Sequence, residues 1–277
     1  MRLPTMPELP EVETTLRGIE SHIINKTITS VVVRNPSLRW PVPVKKIKKE
    51  LENKKIDRIY RRGKYLLLES HGQYLIIHLG MSGSLRITDT NELKKHDHID
   101  ISFKDGTILR YCDPRRFGCF LWTDNPEEHF LLKNLGPEPL GNSFNGDHLF
   151  KLSRKRKVPV KNFIMDSKII VGVGNIYASE ALYASGINPY SQSGKVTKKK
   201  YEELAIQIIK VLRQSIELGG TTLRDFVSGD SSPGYFKQSL MVYGREGEEC
   251  FKCGTLIKSR RIGQRASAYC PKCQTRF

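Results

Sequence analysis

Apolar positions along this chain change their period twice. Val12, Leu16, Ile19 and Ile23 fall on one face at helical spacing, and just ahead of them Pro10 suits a first helical turn. Glu11 and Glu13 complement the positive end of that helix dipole. From residue 28 to 124 the pattern shortens. Strands are predicted at 28–33, 56–60, 65–69, 74–78, 84–87, 98–103, 108–111 and 118–122, each rich in β-branched or aromatic residues and bounded by Gly, Asn or Asp. Short strands in succession, with no helices between them, predict a sandwich or barrel. Pro41 and Pro43 break the chain before a basic segment at 45–49. Pro and Gly then crowd in Leu135-Gly136-Pro137-Glu138-Pro139-Leu140, which predicts an interdomain linker followed by a turn-rich stretch. Beyond it the helical period returns. Thr197 is the expected N-cap of a helix with Leu204, Ile208, Val211 and Leu212 on one face, and Gly219-Gly220 is its expected stop. A loop with Gly229, Pro233 and Gly234 leads into a cysteine-bearing tail.

Composition narrows the class. A chain of 277 residues is long enough for two modest domains, each with its own core. Hydrophobic residues make up 38% and the mean hydropathy is −0.42, values of a soluble globular protein. No apolar run approaches a membrane span, and residues 1–20 lack the apolar centre of a signal peptide. The expectation is a cytoplasmic protein, in which paired cysteines signal metal or catalysis rather than disulfides. A formal charge of +17 points to a polyanionic partner, nucleic acid first and anionic membrane second.

The cysteines give the most specific physical signal. Cys250-x-x-Cys253 and Cys270-x-x-Cys273 stand a hairpin's length apart, the pattern of a closed four-thiolate zinc site. A redox CxxC explains one such pair but not two. Cys112 and Cys119 lie in the strand region and read as small apolar residues. Lys258, Arg260, Arg261 and Arg265 lie between the pairs, so the stapled hairpin is cationic and suits nucleic acid.

Other stretches carry chemistry less specifically. Met6-Pro7-Glu8-Leu9-Pro10 places a proline beside a carboxylate. Val171-Gly172-Val173-Gly174-Asn175 is a glycine-containing entry to a helix, where phosphate can approach exposed N–H groups. Arg61-Arg62-Gly63-Lys64 is a basic turn, and His78-Leu79-Gly80-Met81-Ser82-Gly83 and Asp113-Pro114-Arg115-Arg116-Phe117-Gly118 read as loops between strands. Taken one at a time, each has an ordinary structural explanation. Taken in order with the cysteine pairs and with Thr221-Thr222-Leu223-Arg224-Asp225-Phe226, they resemble the formamidopyrimidine-DNA glycosylases, base-excision enzymes that remove oxidised purines.

That resemblance implies an α+β fold. It comprises an N-terminal β-sandwich with flanking helices at 7–134, a linker at 135–146, a helical helix–two-turn–helix domain at 147–243 and a four-cysteine zinc finger with a β-hairpin at 244–277. It implies a catalytic amine at Pro7, proton transfer by Glu8, and Lys64 contacting DNA near the cleaved sugar. Met81, Arg115 and Phe117 would fill the space left by an extruded base, whose removal from the stack costs a few kcal/mol. Lys161, Asn175 and Arg265 would grip phosphates, and Thr222, Arg224 and Tyr235 would belong to a lesion-covering loop. The implied cofactor is one structural zinc. The implied partner is double-stranded DNA containing oxidised bases or abasic sites, bound by a monomer, with no membrane. One departure is chemical: residues 1–6 precede Pro7, and while they are attached its nitrogen is a tertiary amide. Two other readings are a same-fold glycosylase for oxidised pyrimidines and a non-catalytic DNA-binding zinc protein.

Overall fold

The computed structural model describes residues 7–220 and 239–277. It divides into two compact units, with the break after Lys133.

The first unit opens with helix α1 (Leu9–Ile23). Glu8 is its N-cap and Pro10 lies in its first turn. Glu11 accepts the Glu8 amide N–H at 2.9 Å, one half of a capping box. Val12, Leu16, Ile19 and Ile23 are all buried, as their spacing predicts. Eight strands follow: β1 (Ile28–Val33), β2 (Arg58–Arg62), β3 (Tyr65–Ser70), β4 (Gln73–His78), β5 (Ser84–Thr88), β6 (Asp97–Phe103), β7 (Ile108–Cys112) and β8 (Cys119–Thr123). They form two antiparallel sheets, ordered β1-β6-β7-β5 and β2-β3-β4-β8. One apolar core, running from Val12 through Ile77 and Ile99 to Phe120, joins the two sheets and α1. The expected sandwich is therefore present, and each expected strand has its counterpart within two residues.

The basic segment after Pro43 proves to be a helix, α2 (Val44–Leu51). Val44, Ile47 and Leu51 lie on one face at helical spacing, but the helix is only eight residues long, rich in lysine, and no side chain caps its start. The sheet also buries charge. Arg110 sits opposite Arg86 and Asp100 in the ladder, and it holds the Asp100 carboxylate through two nitrogens at 2.8 and 2.9 Å. Bidentate pairing is what makes a buried arginine tolerable there.

The second unit is helical at its centre. Helix α3 (Gly146–Ser153) occupies part of the stretch expected to be turn-rich, and Asn145 caps it by accepting the His148 amide N–H at 2.9 Å. Helix α4 (Val160–Met165) leads through turns containing Gly172 and Gly174 into α5 (Asn175–Ala184), which is apolar on nearly all sides and buried from Ile176 to Tyr183. Helix α6 (Lys198–Glu217) is capped by Thr197, and it stops where Gly219 and Gly220 both adopt positive φ, a conformation glycine adopts without strain. Strands β9 (Lys258–Ile262) and β10 (Arg265–Tyr269) pair as a hairpin over the cysteine cluster. No helix among the described residues is long and apolar enough to cross a membrane.

Candidate nucleic-acid and catalytic sites

Pro7 lies immediately before the helix that Glu8 caps. The Glu8 residue is only 2% exposed, and Pro7 is half-buried. Glu13, just over one turn further along α1, accepts from Arg61 Nε at 2.9 Å, and Arg61 also donates to the Gly63 carbonyl at 3.0 Å. This ion pair ties the beginning of α1 to the β2–β3 turn. Pro7, Glu8 and half-buried Lys64 are thereby brought to one end of the sandwich.

Two loops lie at strand ends that pair next to the Lys64 turn. Residues 79–83 run from β4 to β5 and residues 113–118 from β7 to β8, so both cross between the sheets. They pack too closely for side chains at their glycines. A Cβ on Gly80 would lie 2.4 Å from the Phe117 carbonyl carbon, and one on Gly118 would lie 2.4 Å from the His78 carbonyl oxygen. Their tips remain open: Phe117 is 43% exposed, Arg115 is exposed and Met81 is half-buried. The Arg115 guanidinium lies 4.8 Å from the Phe117 ring centroid, a cation–π pair at the loop tip.

His78 closes β4 at the head of the loop that carries Met81. Burial, then the Lys64 and Arg39 cations, lower its pKa to about 4, with Asp113 opposing. The ring is therefore neutral near pH 7. Its Nδ1 accepts the Gly80 N–H at 2.9 Å, which leaves the proton on Nε2. Tyr65 stacks against it at 4.7 Å, and burial pushes that phenol up to about 12. The sequence signal for His78 is a polar residue closing an otherwise apolar strand, followed at once by glycine-rich chain. Arg39 lies beside the second loop; its amide N–H donates to the Gly118 carbonyl at 3.2 Å, and its guanidinium lies over Trp40.

In the second unit Lys161, Asn175 and Arg265 are carried by α4, α5 and β10. Lys161 is only 1% exposed, and its ammonium donates to Ser267 Oγ at 2.9 Å and to the Ala266 carbonyl at 3.2 Å. It thus braces the hairpin against α4. Asn175 is the first residue of α5, and its side-chain carbonyl oxygen is buried with no hydrogen-bond partner among the described residues. Arg265 is exposed beside the hairpin turn. Glu180 on α5 accepts the amide N–H groups of Met241, Val242 and Tyr243 at 2.8–3.0 Å, fixing the strand of chain that enters the zinc region. Thr222, Arg224 and Tyr235 lie outside the described residues.

The sulfurs of Cys250, Cys253, Cys270 and Cys273 all lie within 4.8 Å of one another, with Cys250 to Cys273 at 3.9 Å and Cys253 to Cys270 at 3.5 Å. These separations are too long for disulfides and match the edges of a tetrahedron with Zn–S bonds of about 2.3 Å. The donor set fits one structural zinc, with every position a thiolate and none open for water. Cys112 and Cys119 take no part in this cluster.

Comparison with known proteins covers the same features. The family model of the formamidopyrimidine-DNA glycosylase N-terminal domain matches residues 6–120, that of the family's H2TH domain residues 135–227, and that of the zinc finger found in FPG and IleRS residues 247–276. The formamidopyrimidine-DNA glycosylase of Stutzerimonas stutzeri is 54% identical over 270 residues, covering 97% of this chain and 100% of the relative, and that of Pseudomonas putida strain GB-1 is 53% identical with the same coverage. A complex of Lactococcus lactis Fpg with abasic-site DNA superposes with a TM-score of 0.89 at 34% identity, covering 97% of this chain and 100% of that one. A structure of MutM with DNA containing carbocyclic 8-oxo-G gives 0.88 at 34% identity, covering 98% and 100%. The chain belongs to the formamidopyrimidine-DNA glycosylase family.

Proposed function

We propose that this protein is a base-excision repair glycosylase that removes oxidised purines, formamidopyrimidines and 8-oxoguanine, from double-stranded DNA and then cleaves the abasic strand. The observation that carries the reading is the pairing of Pro7 with the buried carboxylate of Glu8 at the start of α1, in a chain that matches the family from residue 6 onward. Related proteins bound to abasic-site and Fapy-dG DNA support the substrate class.

In this mechanism the Pro7 nitrogen attacks C1′ of the damaged nucleotide. The glycosidic bond breaks with its electron pair going to the base, which leaves with a proton. Glu8 takes up the proton released from the Pro7 nitrogen and passes it to the sugar ring oxygen as the ring opens, giving an iminium between Pro7 and C1′, while the departing base takes its proton from water. That cation acidifies C2′–H, so the 3′ phosphate leaves by β-elimination and the 5′ phosphate by δ-elimination. An α-amine has a reference pKa of about 8 against about 10.4 for lysine, so more of it is unprotonated at neutral pH without burial. Met81, Arg115 and Phe117 fill the vacated stack. Lys64 acts with Pro7 and Glu8, contacting DNA near the cleaved sugar, while Lys161, Asn175 and Arg265 hold the phosphate backbone. Thr222, Arg224 and Tyr235 belong to the loop that covers the lesion. The zinc is structural. The enzyme works as a monomer on bacterial cytoplasmic, nucleoid DNA, and its domains follow the boundaries read from the sequence.

The chemistry requires a free amine, so the active chain begins at Pro7, by initiation at Met6 or by processing. Borohydride should trap the protein on 8-oxoguanine DNA, with peptide mapping placing the adduct on Pro7 and intact mass showing residues 1–6 absent. Glu8→Gln should abolish base removal while DNA binding is retained. A chain that still carries residues 1–6, excises the base and traps at a lysine such as Lys64 would overturn the assignment. Preference for an oxidised pyrimidine duplex would reassign the substrate.

A further inference from the structure

Asp113 is fully buried, and among the described residues no ion pair is made to it. A buried carboxylate without a counter-ion is costly, and hydrogen bonds must compensate it. Asp113 collects four. Oδ1 accepts from Ser82 Oγ at 2.6 Å and from the Arg115 amide N–H at 3.2 Å. Oδ2 accepts from the Tyr111 hydroxyl at 3.0 Å and from the Gly118 amide N–H at 2.9 Å. Ser82 Oγ in turn accepts the Arg115 N–H at 3.2 Å, and the Asp113 carbonyl meets His98 Nε2 at 2.9 Å.

The donors have a pattern. Ser82 belongs to the loop that carries Met81. Arg115 and Gly118 bracket Phe117 in the other loop. One carboxylate therefore spans both inter-sheet loops, using the two oxygens of a group that offers about four acceptor sites. An apolar residue would fill the same space at lower cost, and it would leave the two loops unconnected. Resting on the reading of Met81, Arg115 and Phe117 as the groups that fill the vacated stack, we propose that Asp113 is a positioning residue that joins the two loops into one preassembled wedge. The wedge offsets unstacking only if its parts arrive together, because a mobile wedge pays its ordering entropy at the moment of base extrusion.

The proposal separates two reactions of the same enzyme. Excision from a lesion duplex requires a base to be extruded, whereas cleavage of a preformed abasic site does not. Asp113→Asn keeps the shape but turns an amide NH2 towards one pair of donors. Its ratio of excision to abasic-site cleavage should fall about tenfold relative to the Pro7-initiated wild-type chain. Ser82→Ala should lower the same ratio by a smaller factor, and Ser82→Thr should restore it. A 2-aminopurine placed opposite the lesion should show a less fully formed wedge in both damaging variants.

An Asp113→Asn enzyme with the wild-type ratio overturns the proposal. So does one in which both reactions fall together with the thermal midpoint, which is the signature of a purely structural role. Should Asp113→Asn fail to fold, Ser82→Ala decides by the same ratio, and an unchanged ratio there is also fatal. Failure of the underlying reading looks different: alanine at Met81, Arg115 and Phe117 together would leave the wild-type ratio unchanged.

Discussion

Two regions of this molecule carry the basic side chains proposed to meet DNA, and they obtain their order from different sources. At the end of the sandwich, Lys64 and Arg115 project from turns whose strands share one continuous apolar core. The loops there are further fixed by glycines that leave no room for a Cβ and by the buried Asp113. The zinc hairpin has a much smaller apolar core, braced by Lys161 on α4. Its core is Tyr183, Val242, Cys250, Ile257, Ala268 and Cys270, and two of these are the ligands themselves. A two-stranded ribbon of this size is marginal in water by itself. Cations can thus be held rigid either by hydrophobic burial or by a metal, and the two regions should fail under different insults.

The largest expected effect tests this directly. Chelation, or Cys250→Ser, should strip the hairpin of most of its order, since zinc binding to a structural four-ligand site is worth about 10–16 kcal/mol near neutral pH. Metal analysis of the intact protein should give about one zinc per chain. Hydrogen exchange at Lys258–Ile262 should become fast, exchange in β4 and β7 should stay slow, and DNA affinity should fall. A hairpin that stays protected after the metal is removed would erase the contrast.

The same contrast explains what the sequence disclosed. Sandwich strands were legible because short runs of β-branched and aromatic residues are bounded by turn residues at short intervals, and the zinc site because four cysteines at fixed spacing leave few other uses. Helix α1 was legible through Val12, Leu16, Ile19 and Ile23. Helix α2 was not: it is only eight residues long, four of them lysines, and its uncapped start gave no boundary signal, although Val44, Ile47 and Leu51 share one face. Helix α3 was hidden by the Gly and Asn around it, although Asn145 is a good N-cap. Polar residues whose work is done by burial were the least visible. Asp113 and His78 head their motifs, yet nothing in one dimension says that four donors converge on the first or that the Lys64 and Arg39 cations act on the second. Lys161 is expected from the resemblance to grip phosphate, and its contact with Ser267 joins residues far apart in sequence.

A smaller effect sharpens the sandwich side. His78 has a folded pKa near 4, below the ordinary 6.5, so the unfolded chain binds more protons between these values. Stability from this group is present above pH 6.5 and is lost as pH falls towards 4. The full effect is roughly 3 kcal/mol. His78→Gln should flatten that part of the stability–pH curve when unfolding is followed by a probe within the sandwich. The probe matters, because acid also protonates the thiolates and releases zinc from the other region. An unchanged curve would mean that His78 is solvated in a way its burial does not suggest.

The smallest effect separates two residues within the hairpin region. Both Arg265 and Lys161 are proposed phosphate contacts, and each direct contact adds about −0.9 to the slope of log affinity against log salt for duplex DNA. Arg265 is exposed, so Arg265→Ala should make that slope shallower by about 0.9 without disturbing the hairpin. Lys161 is buried against the hairpin as well, and its removal takes a donor from the Ala266 carbonyl and from the Ser267 hydroxyl. Lys161→Met keeps the apolar stem and deletes only the ammonium. If Lys161 reaches phosphate, this variant should show the shallower slope together with faster hydrogen exchange in β10. Faster exchange with an unchanged slope would instead make Lys161 a brace that works through Arg265, and the hairpin would then owe its order to an ammonium from α4 as well as to its metal.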